Sequence, residues 1–498
     1  MSRLLVDGIL RRAARLAPGA VATSVGGRSA TYGDIDRAAS RWANWLKGAG
    51  AGGGDRVAWW SPSSLDAVGA FWGCARAGVV FCPLNPALTE SEALTAVEYL
   101  GPRLLVADGG RADAATAVTD ALDVRSVRLG GPLDDALAAA SPSAPTAPVG
   151  DDSAHAVFLT SGSTGRPKGV VLSHRASWLR AFPGGGTFST NGQGGMLTAF
   201  PQFHWAWWHY VMEAAHGLRA LHLVSSTDGP AIVAGVERWR PTWMYLIPAL
   251  WERVLACPAH TGDLTSLRQA DTGTSAFSAS LLEGIKARLP GTTTSVFYGS
   301  TEAGRLAVLG DEDLFRKAGT VGRPAPPVEA EVGADGELRV RNPFLMSGYL
   351  DLPDETSRVL RHGWYLTGDT ASLDDEGYLT ITGRVAETIR SGGETVAPAE
   401  VELALRTHPG VREVAVVGLP DDEWGELVCA VLVVDGDTPR PDLASVRHHL
   451  GPLLARYKHP RRLLFAERLP RTPATGQLQR RMIRDWAVSA SQHEEATC

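Results

Sequence analysis

The sequence predicts an α/β protein with a large N-terminal region, made of two α/β subdomains and a small β-rich one, and a smaller α+β C-terminal domain. At 498 residues the chain is too long for a single ordinary hydrophobic core. From about Leu4 to Leu137, helical stretches alternate with short apolar runs such as DRVAWWSP, GVVFCPLN and PRLLVADG. That alternation is typical of an α/β fold.

Two changes along the chain predict the remaining parts. From Gly336 the sequence turns to short β-runs separated by turns, which indicates the small β-rich subdomain. After Arg384 a compact βα pattern begins, and it predicts the smaller domain. We therefore expect the boundary within 383–387, with an N-terminal domain over 1–385 and a C-terminal domain over 386–498.

Composition narrows the class of protein. The net charge is −6 and no basic block is present, so nucleic acid is not an expected partner. No apolar run approaches the ~20 residues of a membrane-spanning helix, so no membrane partner is expected. The five cysteines are scattered without a CxxC pair, which indicates neither a disulfide framework nor a zinc site. A cytoplasmic enzyme is the expectation, and its oligomeric state stays open.

The most informative stretch is TSGSTGRPKGV, residues 160–170. Glycines let backbone N–H groups turn towards an anion, hydroxyls add donors, and a lysine supplies the opposite charge. The runs AHAVFLT before it and GVVLSH after it both read as strands, whereas a Walker A loop is followed by a helix. The stretch therefore predicts a polyphosphate-binding loop for ATP, formed by Thr160, Ser161, Gly162, Ser163, Thr164, Gly165 and Lys168.

Two further motifs complete a nucleotide site. After the β-run TTTSVF, the segment Tyr298-Gly299-Ser300-Thr301-Glu302 offers a flat ring for a nucleobase, hydroxyls for phosphate and a hard oxygen for Mg²⁺. The segment YLTGD ends in Asp369, which we expect at a turn after a strand, where a carboxylate accepts from two ribose hydroxyls. Arg384 follows at the expected domain boundary.

These motifs in this order resemble the adenylate-forming superfamily of acyl-CoA synthetases, nonribosomal-peptide adenylation domains and luciferases, over nearly the whole chain. The resemblance implies ATP, Mg²⁺ and CoA as cosubstrates and a mobile C-terminal lid. It also implies a role for each motif. Thr164 and Lys168 would contact phosphates, Tyr298 would stack on adenine, Thr301 would touch the α-phosphate, Glu302 with Thr164 would bind Mg²⁺, Asp369 would hold the ribose, and Arg384 would act at the ribose and hinge.

One departure from the family pattern concerns the catalytic lysine near the C-terminus. The family carries Pro-x-x-Gly-Lys, whose lysine bridges the substrate carboxylate and the phosphate. This chain has Gln477 at that position, and no lysine follows Lys458. Losing one preorganised electrostatic donor typically costs ~10²–10³-fold in rate. An engineered substitution, different chemistry and a weakly active relative all fit the sequence, and Arg480 and Arg481 are candidate substitutes.

The resemblance also implies where the acid binds. In the family the acyl pocket is lined by the segment corresponding to 200–210 and by the strands before Ala270 and Tyr298. Here these segments are rich in aromatic residues and hold no acidic residue between 200 and 212. We expect a short pocket for a small or aromatic acid, with His204 as a wall or as a general base. The pocket residues that we expect are His204, Trp205, Trp208 and Tyr245.

The leading hypothesis is an ATP-dependent ligase that forms an acyl-adenylate and passes the acyl group to CoA. Within the same fold, the acceptor could instead be an amine, giving an amide synthetase of secondary metabolism. The activated anion could also be nitrite, as in relatives that diazotise aryl amines. From another class, the chain could be a non-catalytic protein that binds ATP or AMP.

Overall fold

The computed structural model describes residues 4–145, 147–160, 167–182, 194–274, 277–391, 394–421, 424–434, 439–471 and 478–495. The chain forms two compact units. The first comprises Met1–Glu329 and Val340–Tyr365, and the second comprises Ala330–Arg339 and Leu366–Cys498.

The α-helices, in chain order, are α1 (Val6–Leu16), α2 (Tyr32–Gly48), α3 (Leu65–Ala77), α4 (Glu90–Leu100), α5 (Ala112–Leu122), α6 (Pro132–Ala139), α7 (His174–Ala181), α8 (Trp205–Gly217), α9 (Gly229–Trp239), α10 (Pro248–Leu255), α11 (Ala279–Arg288), α12 (Pro353–Val359), α13 (Pro398–Leu405), α14 (Leu443–Leu450) and α15 (Arg480–Glu495). The first twelve belong to the first unit and the last three to the second. None of the described helices combines the length and apolar character needed to cross a membrane.

The strands, in chain order, are β1 (Val21–Val25), β2 (Arg28–Thr31), β3 (Arg56–Trp60), β4 (Val80–Pro83), β5 (Leu104–Ala107), β6 (Arg125–Arg128), β7 (Ala154–Thr160), β8 (Lys168–Ser173), β9 (Met196–Thr198), β10 (Leu221–Leu223), β11 (Trp243–Tyr245), β12 (Gln269–Gly273), β13 (Val296–Ser300), β14 (Gly304–Leu309), β15 (Arg323–Pro324), β16 (Glu329–Val332), β17 (Glu337–Arg341), β18 (Gly348–Tyr349), β19 (Leu360–Arg361), β20 (Trp364–Leu373), β21 (Leu379–Arg384), β22 (Ile389–Ser391), β23 (Glu394–Val396), β24 (Glu413–Asp421), β25 (Gly425–Val433) and β26 (Arg462–Phe465). The apolar runs that the sequence analysis singled out form β3, β4 and β5, as predicted.

The first unit is built on two largely parallel sheets. One has the order β18-β8-β7-β4-β3-β5-β6 and the other the order β15-β14-β13-β12-β11-β9-β10-β1-β2. In each sheet the last parallel strand on one side, β7 or β13, continues into an antiparallel partner, β8 or β14. The two α/β subdomains of the prediction are thus confirmed. The hairpins β7–β8 and β13–β14, which carry two of the three predicted nucleotide motifs, leave the carboxyl ends of parallel strands, which is where open α/β sheets bind ligands.

The second unit contains a sheet with the order β23-β22-β25-β24, to which β26 adds parallel to β25. Alternate residues of β24 point to opposite faces. Val414 and Val416 pack with residues of α13 and α14, while Ala415 and Val417 pack with Ile483 of α15. Helices therefore cover both faces of this sheet, which confirms the α+β character expected for the C-terminal part.

Candidate active site

The predicted phosphate loop leaves the sheet through the hairpin β7–β8. Thr160 and Lys168 are opposite each other at the ends of the two strands, and the Thr160 hydroxyl donates to the Lys168 carbonyl over 3.3 Å. The predicted strands on both sides of the loop are therefore confirmed. Ser161, Gly162, Ser163, Thr164 and Gly165 lie outside the described residues.

Lys168 has an anionic partner within its own unit. Its Nζ donates to Glu355 Oε2 of α12 over 2.7 Å, and both side chains are partly buried. The hydrogen bond from this ammonium and its charge lower the pKa of Glu355 below its ordinary value. The same Nζ lies 5.1 Å from the centre of the Tyr349 ring, a cation–π distance. The cation that we expect to bind phosphate is thus already oriented by an acid and an aromatic face.

The second motif forms the hairpin β13–β14. Tyr298, Gly299 and Ser300 are the last residues of β13, and Thr301 and Glu302 form the turn that leads into β14. Tyr298 therefore lies inside the strand rather than after it. A Cβ on Gly299 would come within 2.2 Å of the Gly304 carbonyl oxygen, so the close approach of the two strands requires glycine there.

A buried arginine of α7 holds the turn of this hairpin. The guanidinium of Arg180 donates to the carbonyls of Thr301 over 2.7 Å, Glu302 over 2.7 Å and Phe344 over 2.8 Å. Burial lowers the pKa of Arg180 to about 9. Because Arg180 uses its donors on backbone carbonyls, it sets the path of the chain and leaves the Thr301 and Glu302 side chains for other partners.

Tyr349 connects the two motifs. Its hydroxyl donates to Glu302 Oε1 over 3.2 Å, while its ring lies beside Lys168 Nζ. Lys168 and Glu302 come from different sheets and are 134 positions apart in the chain. The first unit therefore brings the lysine and the carboxylate that we expect to bind phosphate and Mg²⁺ to one place. Tyr349, Glu355 and Arg180 were not found from the sequence.

The donor set fits a magnesium ion held mainly by substrate. The described residues contain no group of three or more His, Cys, Asp or Glu side chains suited to a metal. Mg²⁺ commonly takes one or two carboxylates and completes its shell with phosphate oxygens and water. Glu302 offers one such carboxylate, and Thr164, the other predicted ligand, lies outside the described residues.

Asp369 and Arg384 meet within the second unit. They are opposite each other on β20 and β21, and Arg384 Nε lies 2.6 Å from Asp369 Oδ1. Asp369 is buried, whereas the Arg384 side chain is 56% exposed. The expectation that Asp369 ends a strand at a turn was wrong, because β20 continues to Leu373 and its ladder with β21 includes Asp369.

The predicted acid pocket divides into two neighbourhoods. Trp208 stacks on Phe71 with ring centres 4.2 Å apart, meets Phe81 edge-on, and donates from Nε1 to the Gln202 carbonyl over 2.6 Å. Trp205 packs instead against Phe158 and lies 5.4 Å from the Arg180 guanidinium. Trp208 thus has the surroundings of a core residue, and Trp205 lies next to the arginine under the Glu302 turn.

His204 and Tyr245 are the other two predicted pocket residues. His204 lies at the start of α8 beside Phe203, its Nε2 has no hydrogen-bond partner, and burial lowers its pKa to about 4. Tyr245 of β11 stacks on Phe297 and its hydroxyl is 3.0 Å from Thr274 Oγ1. At neutral pH His204 is an uncharged and weakly basic imidazole, which fits a pocket wall better than a general base.

Polar residues beside this pocket were missed by the sequence analysis. His209 and Glu213, one turn apart on α8, face Arg305 of β14. The observation that no acidic residue lies between 200 and 212 was correct but stopped one position short of Glu213. The helical spacing from Trp205 to His209 to Glu213 could have indicated that the three share a face.

Comparison with known proteins matches both parts of the chain to described families. Residues 10–350 match the model of the AMP-binding enzyme family, and residues 400–475 match that of the AMP-binding enzyme C-terminal domain. Feruloyl-CoA synthase from Amycolatopsis sp is 35% identical over 483 residues, covering 93% of this chain and 95% of its own. Indoleacetate–CoA ligase from Aromatoleum aromaticum is 33% identical over 495 residues, with 95% and 96% covered. Among solved structures, the amide bond synthetase McbA from Marinactinospora thermotolerans is 28% identical, covers 97% of this chain and 99% of its own, and superposes with a TM-score of 0.86.

Proposed function

The chain belongs to the AMP-binding enzyme family, and from that premise we propose that it is an ATP-dependent ligase that activates a small or aromatic carboxylic acid as an acyl-adenylate and transfers the acyl group to CoA. Relatives similar over more than nine-tenths of the chain are ligases of aromatic acids and CoA, which supports this choice.

The observation that carries the proposal is the arrangement of Lys168, Tyr349 and Glu302 in the first unit. It supports a site in which one ammonium and one carboxylate serve the same polyphosphate. In the first step an oxygen of the substrate carboxylate bonds to the α-phosphorus, the bond from that phosphorus to the bridging oxygen breaks, and pyrophosphate leaves. In the second step the CoA thiolate attacks the acyl carbon and AMP leaves.

The residues would contribute charge and position. Lys168, with the loop residues Thr160, Ser161, Gly162, Ser163, Thr164 and Gly165, would hold the β- and γ-phosphates, since a preorganised cation and N–H groups stabilise the charge that moves to pyrophosphate. Glu302, together with Thr164, would hold Mg²⁺, which neutralises phosphate charge when bound. Tyr298, Gly299, Ser300 and Thr301 would bind the adenine and α-phosphate.

For the second unit we propose ribose binding and lid motion. Asp369 is a buried carboxylate whose partner Arg384 is exposed, so ribose hydroxyls could replace that arginine. Residues 386–498 would act as the lid that rearranges between the two steps, as lids commonly do in two-step enzymes. Gln477 lies outside the described residues and would reach the phosphate only as a neutral hydrogen-bond donor.

An amide synthetase is the second candidate. The similarity to McbA over nearly the full length favours it, and the unpartnered Nε2 of His204 is a hydrogen-bond acceptor that an incoming amine could use. In this version the acyl-adenylate is the same, and only the acceptor differs.

The test measures AMP and pyrophosphate release from ATP with small and aryl acids or nitrite, each with CoA, with an aryl or alkyl amine, or with no acceptor. We expect AMP and an acyl-CoA when an aryl acid and CoA are both present, and no release without an acid. AMP and amide formed without CoA would establish the second candidate instead. A requirement for nitrite and an aryl amine would contradict both. ATP binding without turnover on any substrate would identify a non-catalytic nucleotide-binding protein.

A further inference from the structure

A buried group of charged residues borders the predicted acid pocket. His209 Nε2 is 3.2 Å from Glu213 Oε2, and Arg305 Nη2 is 3.7 Å from the same oxygen and 3.4 Å from His209 Nε2. A single ring nitrogen cannot donate to the carboxylate and accept from the guanidinium at once. The shorter contact to a charged oxygen is the better hydrogen bond, so His209 donates to Glu213.

The charges of this cluster balance. Burial would raise the pKa of Glu213, but the hydrogen bond from His209 and the charge of Arg305 lower it below the ordinary value. Burial would lower the pKa of Arg305, but the negative charge of Glu213 raises it. Burial lowers the pKa of His209 despite the nearby Glu213. At neutral pH the cluster therefore holds one negative charge, one positive charge and a neutral imidazole.

Arg305 is the accessible member of the cluster. Its side chain is 27% exposed, against 4% for Glu213 and 11% for His209. Its guanidinium carbon lies 4.2 Å from the centre of the Phe297 ring, and Phe297 in turn stacks on Tyr245 with ring planes 14° apart. Glu213 and His209 thus hold Arg305 from the buried side, while aromatic rings of the predicted pocket lie next to its guanidinium.

Stability alone does not account for this arrangement. Replacing a buried ion pair by apolar residues of similar size is often neutral or stabilising. The 3.7 Å separation of Arg305 from Glu213 is also longer than a strong charge-assisted hydrogen bond. Burying these charges costs free energy that their mutual contacts do not clearly return. A cation kept at the edge of an aromatic pocket despite this cost points to a bound ligand.

We propose that Arg305 determines specificity by donating to an uncharged oxygen on the ring of an aromatic acid, such as a phenolic hydroxyl or a carbonyl, with Glu213 and His209 as positioning residues. The inference rests on the proposed function, since it concerns the acid that this site activates. Phe297, Tyr245 and Tyr210, whose neighbouring ring centres lie within 5.8 Å, supply an aromatic surface beside Arg305 on which the ring of such an acid would pack.

The charge balance selects a neutral oxygen over a second carboxylate. Glu213 already compensates Arg305, so a dianionic acid would bring an unpaired negative charge into a buried site. Asp271, which accepts a hydrogen bond from the Trp243 ring packed against Tyr210, adds a further acidic group. Burial raises the pKa of Asp271 to about 7, opposed by N–H donors from Ser295, Trp243 and Gln269. A second anion would meet repulsion from this group whenever it is ionised.

The test compares acids that differ by one ring oxygen. The kcat/KM for AMP release is measured with benzoate against 3- and 4-hydroxybenzoate, and with cinnamate against 4-hydroxycinnamate. We expect the protein to favour a hydroxylated member, and Arg305→Met to reduce that preference by ~10–100-fold, since a hydrogen bond from a charged donor is lost. Glu213→Gln should reduce the preference for the hydroxylated acid by a smaller factor, mainly by raising the KM for that acid. Arg37→Met, which removes an exposed arginine that pairs with Asp34 on the surface, is the matched control.

A double variant controls for misfolding of the single variant. Arg305→Met leaves Glu213 buried without its cation, so Arg305→Met/Glu213→Leu removes both charges together and should show the same loss of preference. Turnover of these acids with an unchanged preference in both variants would overturn the inference while leaving the proposed function intact, and so would a preference for isophthalate or terephthalate. If no acid turns over, the proposed function fails, and binding of the same acids in the presence of AMP, followed by tryptophan fluorescence, decides the role of Arg305.

Discussion

At the residue scale, the ion pair between Lys168 and Glu355 bears directly on nucleotide binding. A triphosphate would offer Lys168 several negative oxygens in place of one carboxylate, while the Tyr349 ring keeps the ammonium in position. Glu355 therefore acts as the resting partner of the cation that the proposed function assigns to phosphate.

Lys168→Ala should lower kcat/KM for ATP in pyrophosphate release by ~10²–10³-fold, because a preorganised charge is removed from the site of developing negative charge. Lys47→Ala, on the exposed side of α2, is the matched lysine control and should leave the rate unchanged. An effect of less than threefold for Lys168→Ala would contradict the phosphate role.

Four buried histidines make stability depend on pH. Burial lowers the pKa of His174, His204, His216 and His222 to about 4 in each case. Below the unfolded value near 6.5 the unfolded chain takes up protons that the folded chain does not. The free energy of unfolding should therefore fall as the pH drops from about 6.5 towards 4.

His222→Gln isolates one of these contributions. His222 stacks on Trp239 and its Nδ1 lies 3.0 Å from Ser24 Oγ. Between pH 6 and 5 the slope of unfolding free energy against pH should decrease by up to ~1.4 kcal/mol per pH unit, the value of one proton. Urea unfolding at a series of pH values measures it, and His260→Gln, at an exposed position, serves as the comparison. Equal slopes for the two variants would refute the assignment.

From the sequence, functional roles could be predicted only for residues that belong to a local motif. Lys168, Tyr298 and Glu302 were predicted because glycines, hydroxyls and charges occur at short spacings around them. Glu355 and Arg180 could not be found this way, since their partners lie 187 and 121 or more positions away in the chain. Such contacts depend on how the hairpins leave the sheets. A short segment of sequence does not determine that geometry.

At the scale of elements, α8 shows what composition leaves undecided. The run WAWWHYVMEAAHG was read as a pocket segment because it is aromatic, and almost every residue of the helix is buried. In an amphipathic helix the polar face lies towards solvent, so the opposite apolar face can be assigned to the core. A helix that is buried on all sides has no polar face, and this assignment cannot be made from its sequence. Only the packing assigns Trp208 to the Phe71–Phe81 side and Trp205 to the Arg180 side.

Trp208→Ala should therefore destabilise the first unit by ~3–5 kcal/mol, the usual cost of emptying the space of a large buried ring. Urea unfolding followed by circular dichroism measures the change. Trp486→Ala, at a residue of α15 that is 42% exposed, should change stability by no more than ~0.5 kcal/mol. If both variants behave alike, Trp208 is not a core residue, and its predicted place in the pocket gains support.

The hairpins show a second limit of prediction from the sequence, which concerns where strands end. The sequence placed turns at YLTGD and strands before Tyr298, because glycine and aspartate favour turns. In the structure Asp369 lies within a ten-residue strand, since pairing of β20 with β21 outweighs the local turn preference. Strand ends are set by partners that a single segment does not contain.

At the scale of the whole molecule, the C-terminal unit bears on the missing lysine. Arg480, one of the two candidate substitutes for it, donates to both oxygens of Glu402, and its Nε lies 2.7 Å from Glu387 Oε2. Burial would lower the pKa of Arg480, but these carboxylates raise it. Arg480 is thus engaged at the start of α15 and would have to leave two acids to reach a phosphate.

Gln477→Lys should raise the rate of AMP formation with the best acid by ~10²-fold, because it restores the positive charge that the family resemblance implies between the substrate carboxylate and the phosphate. Single-turnover pyrophosphate release measures this step alone. Gln479→Lys, two positions further along, controls for added charge. A fall in rate for Gln477→Lys would mean that the glutamine belongs to a specialised mechanism rather than to an impaired one.

The way Arg180 binds the Glu302 turn has a consequence for how this turn tolerates substitution. Among the described residues, the Arg180 guanidinium donates to main-chain oxygens, so its hold on the turn does not depend on the side chains that the turn carries. Mutations at Thr301 or Glu302 can then change what is recognised without rebuilding the scaffold beneath. Single substitutions at these two positions should therefore yield proteins that still fold, with the main-chain path of the turn held by Arg180.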